Sequence, residues 1–356
     1  MLSVVQNPLY AIDWIDSILP VEYNNQSNIY YFNIDYNHVP LIERIPKIKD
    51  YLANIRNNKS RHVKVIINGL SESADHAEFF YKVNQKDLDF ALKGNTSKLY
   101  FVSSNFYQST NMIGKNVIHP VYFSSWLINL VEQEKAKPMA KFTNPKKDFI
   151  CLNRRARRHR TNLVHRLHEK SLIKNNYVSY FFDDEQAVSE DYKPFKALKE
   201  HYESNITIDM KNSKSNPASN LLWDCYRDSF FSLVTETYFY ESRSFLSEKT
   251  FKPIAARQPF VLMAPPFYLE ALRETGIKTF GEYFDESYDL IEDHELRMNA
   301  IVALVDDICK MPYQKKLNMF AKMKDICEHN YNVVFADNTK YLRSLGNFYT
   351  TLENLE

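Results

Sequence analysis

Two clusters of this chain have the residue types needed to handle a phosphate group and a sugar. The first is Asn153-Arg-Arg-Ala-Arg-Arg-His-Arg160, with five arginines between positions 154 and 160. It follows the apolar, β-type run Asp148-Phe-Ile-Cys-Leu-Asn153 and precedes Leu163, Val164 and Leu167 at helical spacing. The run therefore occupies the turn between a strand and a helix, where a guanidinium fork donates paired hydrogen bonds to phosphate oxygens. A nuclear-localisation or nucleic-acid patch and a solvated charged turn are its two other readings. The second cluster is Glu236, Tyr238, Glu248, Lys249 and Lys252. Phe230, Phe231, Leu233 and Val234 form an apolar strand ending at Glu236, Ser247 has the character of a helix cap, and Pro259 to Met263 read as the next strand. In such a βαβ unit ligands sit at the carboxyl ends of the strands. A helix N-terminus there attracts an anion, and Lys249 adds a full charge.

The bland reading of Glu248 and Lys249 is ordinary helix capping. Pro253 argues against it. With Ser247 as cap it falls at the sixth helical position, where it deletes a backbone hydrogen bond and crowds the preceding turn. Local conflicts of this kind collect at functional sites.

Elements that must position these clusters alternate along the chain. Asn28 to Asn33, His62 to Ile67 and Lys98 to Ser103 read as strands, with helices expected over Leu41 to Arg56 and Ala77 to Leu92. Val178 to Phe182 is the strand after the arginine run, and Glu200 to Asn220 is polar and loop-like. Further on, Ile301, Leu304, Val305 and Ile308 follow helical spacing, and Leu317, Phe320, Met323 and Cys327 continue as one more amphipathic helix. Alternating strands and helices predict an α/β fold with parallel sheets. Lys135 to Lys147 breaks the periodicity and is the expected linker. The expected domains are 1–140, on the acceptor side, and 148–335, binding the nucleotide sugar, with 336–356 packing back on the first.

The 356 residues suffice for two domains of ordinary size. A net charge of +1 excludes a broadly basic nucleic-acid binder and confines any such contact to a local patch. Cys151, Cys225, Cys309 and Cys327 are widely spaced, without zinc-ligand spacing, and read as reduced thiols. Six glycines form neither a dinucleotide fingerprint nor a P-loop. With no run of eighteen apolar residues and no signal peptide, the expectation is a cytoplasmic protein without membrane insertion.

The segment Phe245-Leu-Ser-Glu-Lys249 resembles the Tyr-Val-Thr-Glu-Lys helix start of α-1,3-fucosyltransferases, with Phe245 where that family has Tyr. The longer wording, Thr235-Glu-Thr, Ser247-Glu-Lys-Thr-Phe-Lys-Pro-Ile-Ala255, Gly276-Ile-Lys-Thr-Phe280 and Asp285-Glu-Ser-Tyr-Asp289, is similar to glycosyltransferases of large bacteriophages and viruses. The resemblance implies the GT-B fold, two Rossmann-like domains facing a central cleft. It also implies transfer from a UDP- or GDP-linked sugar, inverting and without a metal. Arg160 then contacts the diphosphate, with Arg158 second and Lys249 beside it, while Glu236 and Glu248 bond donor hydroxyls. Tyr238 and Lys252 complete the donor set. Glu72 and Asp75, on the turn after the second strand, are the expected catalytic carboxylates. Val117-Ile-His-Pro-Val-Tyr-Phe123 is similar to an acceptor-side segment of the same family. Arg154, Arg155 and Arg157 remain for the acceptor, which the phage resemblance makes DNA with hydroxymethylated bases. A surface glycan or lipid-linked sugar is the alternative acceptor, and a non-catalytic nucleic-acid-binding protein the alternative of another class. Asp183, Asp184 and Glu185 form a rival, metal-binding carboxylate cluster.

Overall fold

The computed structural model describes residues 144–182, 188–208, 221–240 and 246–336, single helical positions at Lys86 and Asp89, and the backbone of four N-terminal strands. The chain divides into two compact units, Met1–Ile128 with Asn338–Glu356, and Asn129–Asp337.

In the first unit β1 (Ile29–Asn33), β2 (Lys64–Gly69), β3 (Leu99–Ser103) and β4 (Asn116–Ile118) form a parallel sheet in the order β1-β2-β3-β4. Tyr31 pairs with Ile66, Ile67 with Phe101, and Phe101 with Val117. The first three strands are those read from the sequence. At three residues, β4 is too short to show alternation, and it stops before Pro120. The helices expected over 41–56 and 77–92 lie outside the described residues apart from Lys86 and Asp89. Glu72, Asp75, most of the 135–147 linker and the 337–356 segment also lie outside them.

The second unit is a parallel sheet of β5 (Lys147–Leu152), β6 (Tyr177–Ser179), β7 (Ser229–Thr235) and β8 (Phe260–Met263), ordered β6-β5-β7-β8. All seven residues of β7 and all four of β8 are buried, the pattern of a parallel strand covered on both faces. Ser229, Ser232 and Thr235 are the polar residues of β7. Ser229 and Ser232 are both satisfied by the side chain of Gln258. The edge strand β6 is shorter than its apolar sequence predicts. Past Ser179 the chain turns away and Tyr180 pairs antiparallel with Ile206.

Helices α1 (Arg158–Glu169), α2 (Lys193–His201), α3 (Trp223–Arg227), α4 (Glu248–Ala255), α5 (Tyr268–Glu274) and α6 (His294–Lys310) follow. The last amphipathic stretch is two helices, α7 (Tyr313–Lys322) and α8 (Lys324–Tyr331), separated at Met323. Phe320 of α7 stacks parallel to Phe231 of β7, and Phe149 of β5 closes the same aromatic core.

Asp285-Glu-Ser-Tyr-Asp289 is architectural. Asp289 accepts the amides of Leu269 and Glu270 and so caps α5, Glu286 accepts the amide of Phe280, and Tyr288 accepts the amide of Leu262. The cap matters because Phe267, just before α5, has φ 63° in the left-handed region and has no side-chain cap of its own.

Candidate active site

The strand order makes β5 and β7 neighbours whose following connections run to opposite sides, β5 to β6 and β7 to β8. That is a topological switch point, where the loops after the two strands part and leave a crevice. Both charged clusters lie on those two loops. Asn153 ties the strand ends together, accepting a hydrogen bond from Thr235 Oγ1 (2.7 Å) and donating to Cys151 Sγ.

After β5 the chain enters α1 through the arginine run. The helix cap is Arg157, which makes no side-chain cap bond, and the first turn contains no acid. A helix beginning Arg-His-Arg places cations at the positive end of its own dipole, an unfavourable arrangement that a bound anion relieves. The arginines divide by direction. Arg154, Arg155 and Arg158 are exposed, and the Arg158 guanidinium lies over the rings of Tyr192 and Tyr240 at 5.5 and 5.8 Å. Those two tyrosines are joined through Asn162, which accepts from Tyr192 and donates to Tyr240.

Arg157, expected on the acceptor side, crosses the crevice to the Thr237 carbonyl at 2.6 Å. Arg160, expected to hold the diphosphate with its fork, is buried. It directs Nη2 to the carbonyls of Glu236 and Thr235 (3.3 and 3.5 Å), while Nε has no hydrogen-bond partner. Burial first, and then Arg157, lower its pKa to about 10, so it remains charged at neutral pH. His159 is also buried, between Phe239 and the Glu236 carbonyl, to which Nε2 lies at 3.1 Å. The carbonyl only accepts, so Nε2 carries the proton. Burial, followed by Arg160, pushes the imidazole down to about 3 and keeps it neutral.

After β7, Glu236 has its side chain turned inward, with the residue 1% exposed. One carboxylate oxygen accepts from Ser247 Oγ (2.6 Å) and the Thr237 amide (3.1 Å), the other from Thr250 Oγ1 (2.6 Å). Its expected partners were donor hydroxyls; the described ones are the cap and first turn of α4. Ser247 is the N-cap read from the sequence, accepting from the Lys249 amide, and Pro253 lies inside the helix as expected.

Lys249 Nζ donates to Glu248 Oε1 (2.8 Å), Ser247 Oγ (3.2 Å) and Thr237 Oγ1 (3.3 Å). Burial works to raise the Glu248 pKa, but Lys249 and then Lys252 overcome it and hold the carboxyl below its usual range. Lys252, one turn along α4, is buried, and desolvation lowers its ammonium to about 8. Tyr238 is half-buried on the same loop.

Sequence reasoning did not find Arg297. From α6 it donates to the carbonyls of Ile291 and Phe239 (both 2.6 Å) and of Glu292, and lies face-on over the Phe239 ring at 4.4 Å. A buried column thus runs from Arg297 through Phe239 to His159 and the end of β7. Among the described residues no group of three or more His, Cys, Asp or Glu is placed to hold a metal ion, and no helix is long and apolar enough to cross a membrane. Asp183, Asp184 and Glu185 lie outside the described residues.

No protein-family model matches the chain, and no curated protein matches it. Among solved structures it is similar to a DNA-modifying β-glucosyltransferase determined with and without uridine diphosphoglucose. The identity is 12% and the TM-score 0.35, over 90% of this chain and 98% of that one. A phage T4 BGT complex with UDP and Mn2+ aligns over the same shares, at 10% identity and TM-score 0.35.

Proposed function

We propose that this protein is a metal-independent, inverting glycosyltransferase of GT-B type that takes its sugar from a nucleoside diphosphate. One observation carries the reading: at the switch point, α1 begins Arg158-His-Arg160 with neither an acidic residue nor a side-chain cap, and the first turn of α4 adds Lys249 beside Glu248. A diphosphate offsets this accumulation of positive charge. The buried Glu236 and Lys252 and the part-buried Glu248 are more than simple polyanion binding requires, which favours an enzyme over a passive nucleic-acid binder.

In the proposed reaction an acceptor hydroxyl attacks the anomeric carbon, its proton passes to Glu72 or Asp75, and the bond from that carbon to the diphosphate oxygen breaks. Negative charge then grows on the leaving diphosphate. Lys249, Lys252 and the first turn of α1 stabilise it, and Arg158 reaches it from the rim. Arg160 acts from behind, as a buried charge gripping the end of β7, and Glu236 acts through Ser247 and Thr250. Such pre-set charges contribute most where charge develops in the transition state.

For the acceptor we propose hydroxymethylated bases in DNA, supported by the exposed Arg154 and Arg155 beside the crevice. Phosphate contacts of this kind weaken steeply with salt. The test is incubation with UDP- and GDP-linked sugars and either hydroxymethylcytosine DNA or unmodified DNA, followed by digestion and mass spectrometry of the nucleosides. A sugar-sized mass gain on the modified base alone, unaffected by EDTA, is expected. Donor binding with no gain on DNA would redirect the acceptor to a glycan, and turnover lost in EDTA and restored by manganese would overturn the metal-independent mechanism.

A further inference from the structure

An ammonium has three N–H donors and no acceptor. On Lys249 all three are taken, by Glu248, Ser247 and Thr237, and the Glu248 bond is both the shortest and the only one to a charged group. The pair is poorly hydrated: the Glu248 side chain is 15% exposed and that of Lys249 25%. An incoming phosphate oxygen must therefore displace an acceptor from Lys249. Of the two hydroxyls, Ser247 is held by Glu236 and by the Lys249 amide and cannot leave without uncapping α4, while displacing Thr237, the longest contact at 3.3 Å, leaves the ammonium charge still offset by Glu248. Glu248 is the first residue of the helix, and beyond Lys249 its carboxylate bonds its own backbone amide.

On the proposed donor-site reading, we infer that the Glu248 carboxylate is a built-in stand-in for phosphate, occupying Lys249 until a diphosphate exchanges for it and thereby setting which anions the site admits. A weak or singly charged anion cannot replace a carboxylate held at 2.8 Å, whereas a diphosphate brings enough charge to engage Lys249, Lys252 and the α4 N-terminus together. Glu248 is thus a specificity residue that disfavours chloride and single phosphates. The buried Lys252 also draws the Glu248 carboxyl, so the displaced acid keeps a cation within its reach.

The prediction runs opposite to that of a Glu248 which bonds donor hydroxyls. Isothermal titration of the full chain with inorganic pyrophosphate, UDP and inorganic phosphate compares wild type with Glu248→Gln and Glu248→Ala, and circular dichroism checks that each is folded. Removing one charge beside the anion is expected to tighten pyrophosphate and UDP by about tenfold. Single phosphate should tighten by more, so that discrimination narrows. If wild type binds pyrophosphate and both folded variants bind it equally or more weakly, the exchange is refuted and the donor-site reading survives. If neither pyrophosphate nor UDP binds wild type or variant, the donor-site reading falls and this inference with it.

Discussion

Glu236→Ala tests whether this acid serves the ligand or the scaffold. Its carboxylate is the acceptor for Ser247 Oγ and Thr250 Oγ1, each at 2.6 Å, and for the Thr237 amide at 3.1 Å. A buried donor deprived of its acceptor costs about 1–3 kcal/mol. Thr250 has a second neighbour in Tyr268 Oη at 3.4 Å, so part of its loss is recovered, and a total of about 3–5 kcal/mol follows. Glu236→Gln retains the volume and one acceptor oxygen and should cost about 1–2 kcal/mol. Urea unfolding of the full chain, followed by circular dichroism, measures both; amide hydrogen exchange at residues 247–250 should show the loosening locally, because α4 loses its anchored cap. An alanine variant that unfolds at the wild-type urea concentration while losing donor affinity would refute the scaffold role and return Glu236 to direct contact.

His159 is neutral in the folded protein, with a pKa near 3 against an ordinary 6.5, so the unfolded chain binds the extra proton between those values. Stability should therefore fall as pH drops below 6.5, at up to about 1.4 kcal/mol per pH unit, and His159→Gln should flatten that slope in acid titrations of unfolding. Lys252 has its pKa lowered to about 8, so holding it charged opposes folding below that value, and the opposition fades as pH rises toward 10.5. Lys252→Met should accordingly raise the unfolding free energy at pH 7 by about 1–3 kcal/mol while weakening pyrophosphate in calorimetry. Arg297→Lys keeps the charge but loses the fork that reaches the Phe239, Ile291 and Glu292 carbonyls; a loss of about 2–4 kcal/mol in urea unfolding is expected, and none would show that the column is dispensable.

What the sequence revealed follows from how local each signal is. The β7 strand, the Ser247 cap and Pro253 were legible because a continuous apolar run, a capping hydroxyl and a misplaced proline are each read within a few residues. The same holds for the three N-terminal strands. The inward turn of Glu236 was not legible, since an acid at a strand end reads alike whether it faces the crevice or the helix behind. Its partners are 11 and 14 residues further on. Arg160 did carry a signal. Arg160, Leu163, Val164 and Leu167 fall at i, i+3, i+4 and i+7, the buried stripe of α1, and that phase separates it from the exposed Arg158. The role of Arg297 joins the adjacent Ile291 and Glu292 carbonyls to that of Phe239, 58 residues away, and this long-range half leaves no trace in its own neighbourhood. Asp285–Asp289 shows the converse: a motif that resembles a family signature holds backbone amides at the start of α5, at Phe280 and in β8.

Because Glu236 bonds both Ser247 and Thr250, it ties the end of β7 to the start of α4 across the ten residues between Glu236 and Ser247. The cost of closing that loop is met at its base, and closure entropy changes only slowly with length. Replacing or lengthening positions 241–245 should therefore leave α4 capped and Lys249 in position. The segment is then a cassette: evolution, or loop grafting in the laboratory, can vary its length and composition without rebuilding the α4 cap that Glu236 holds.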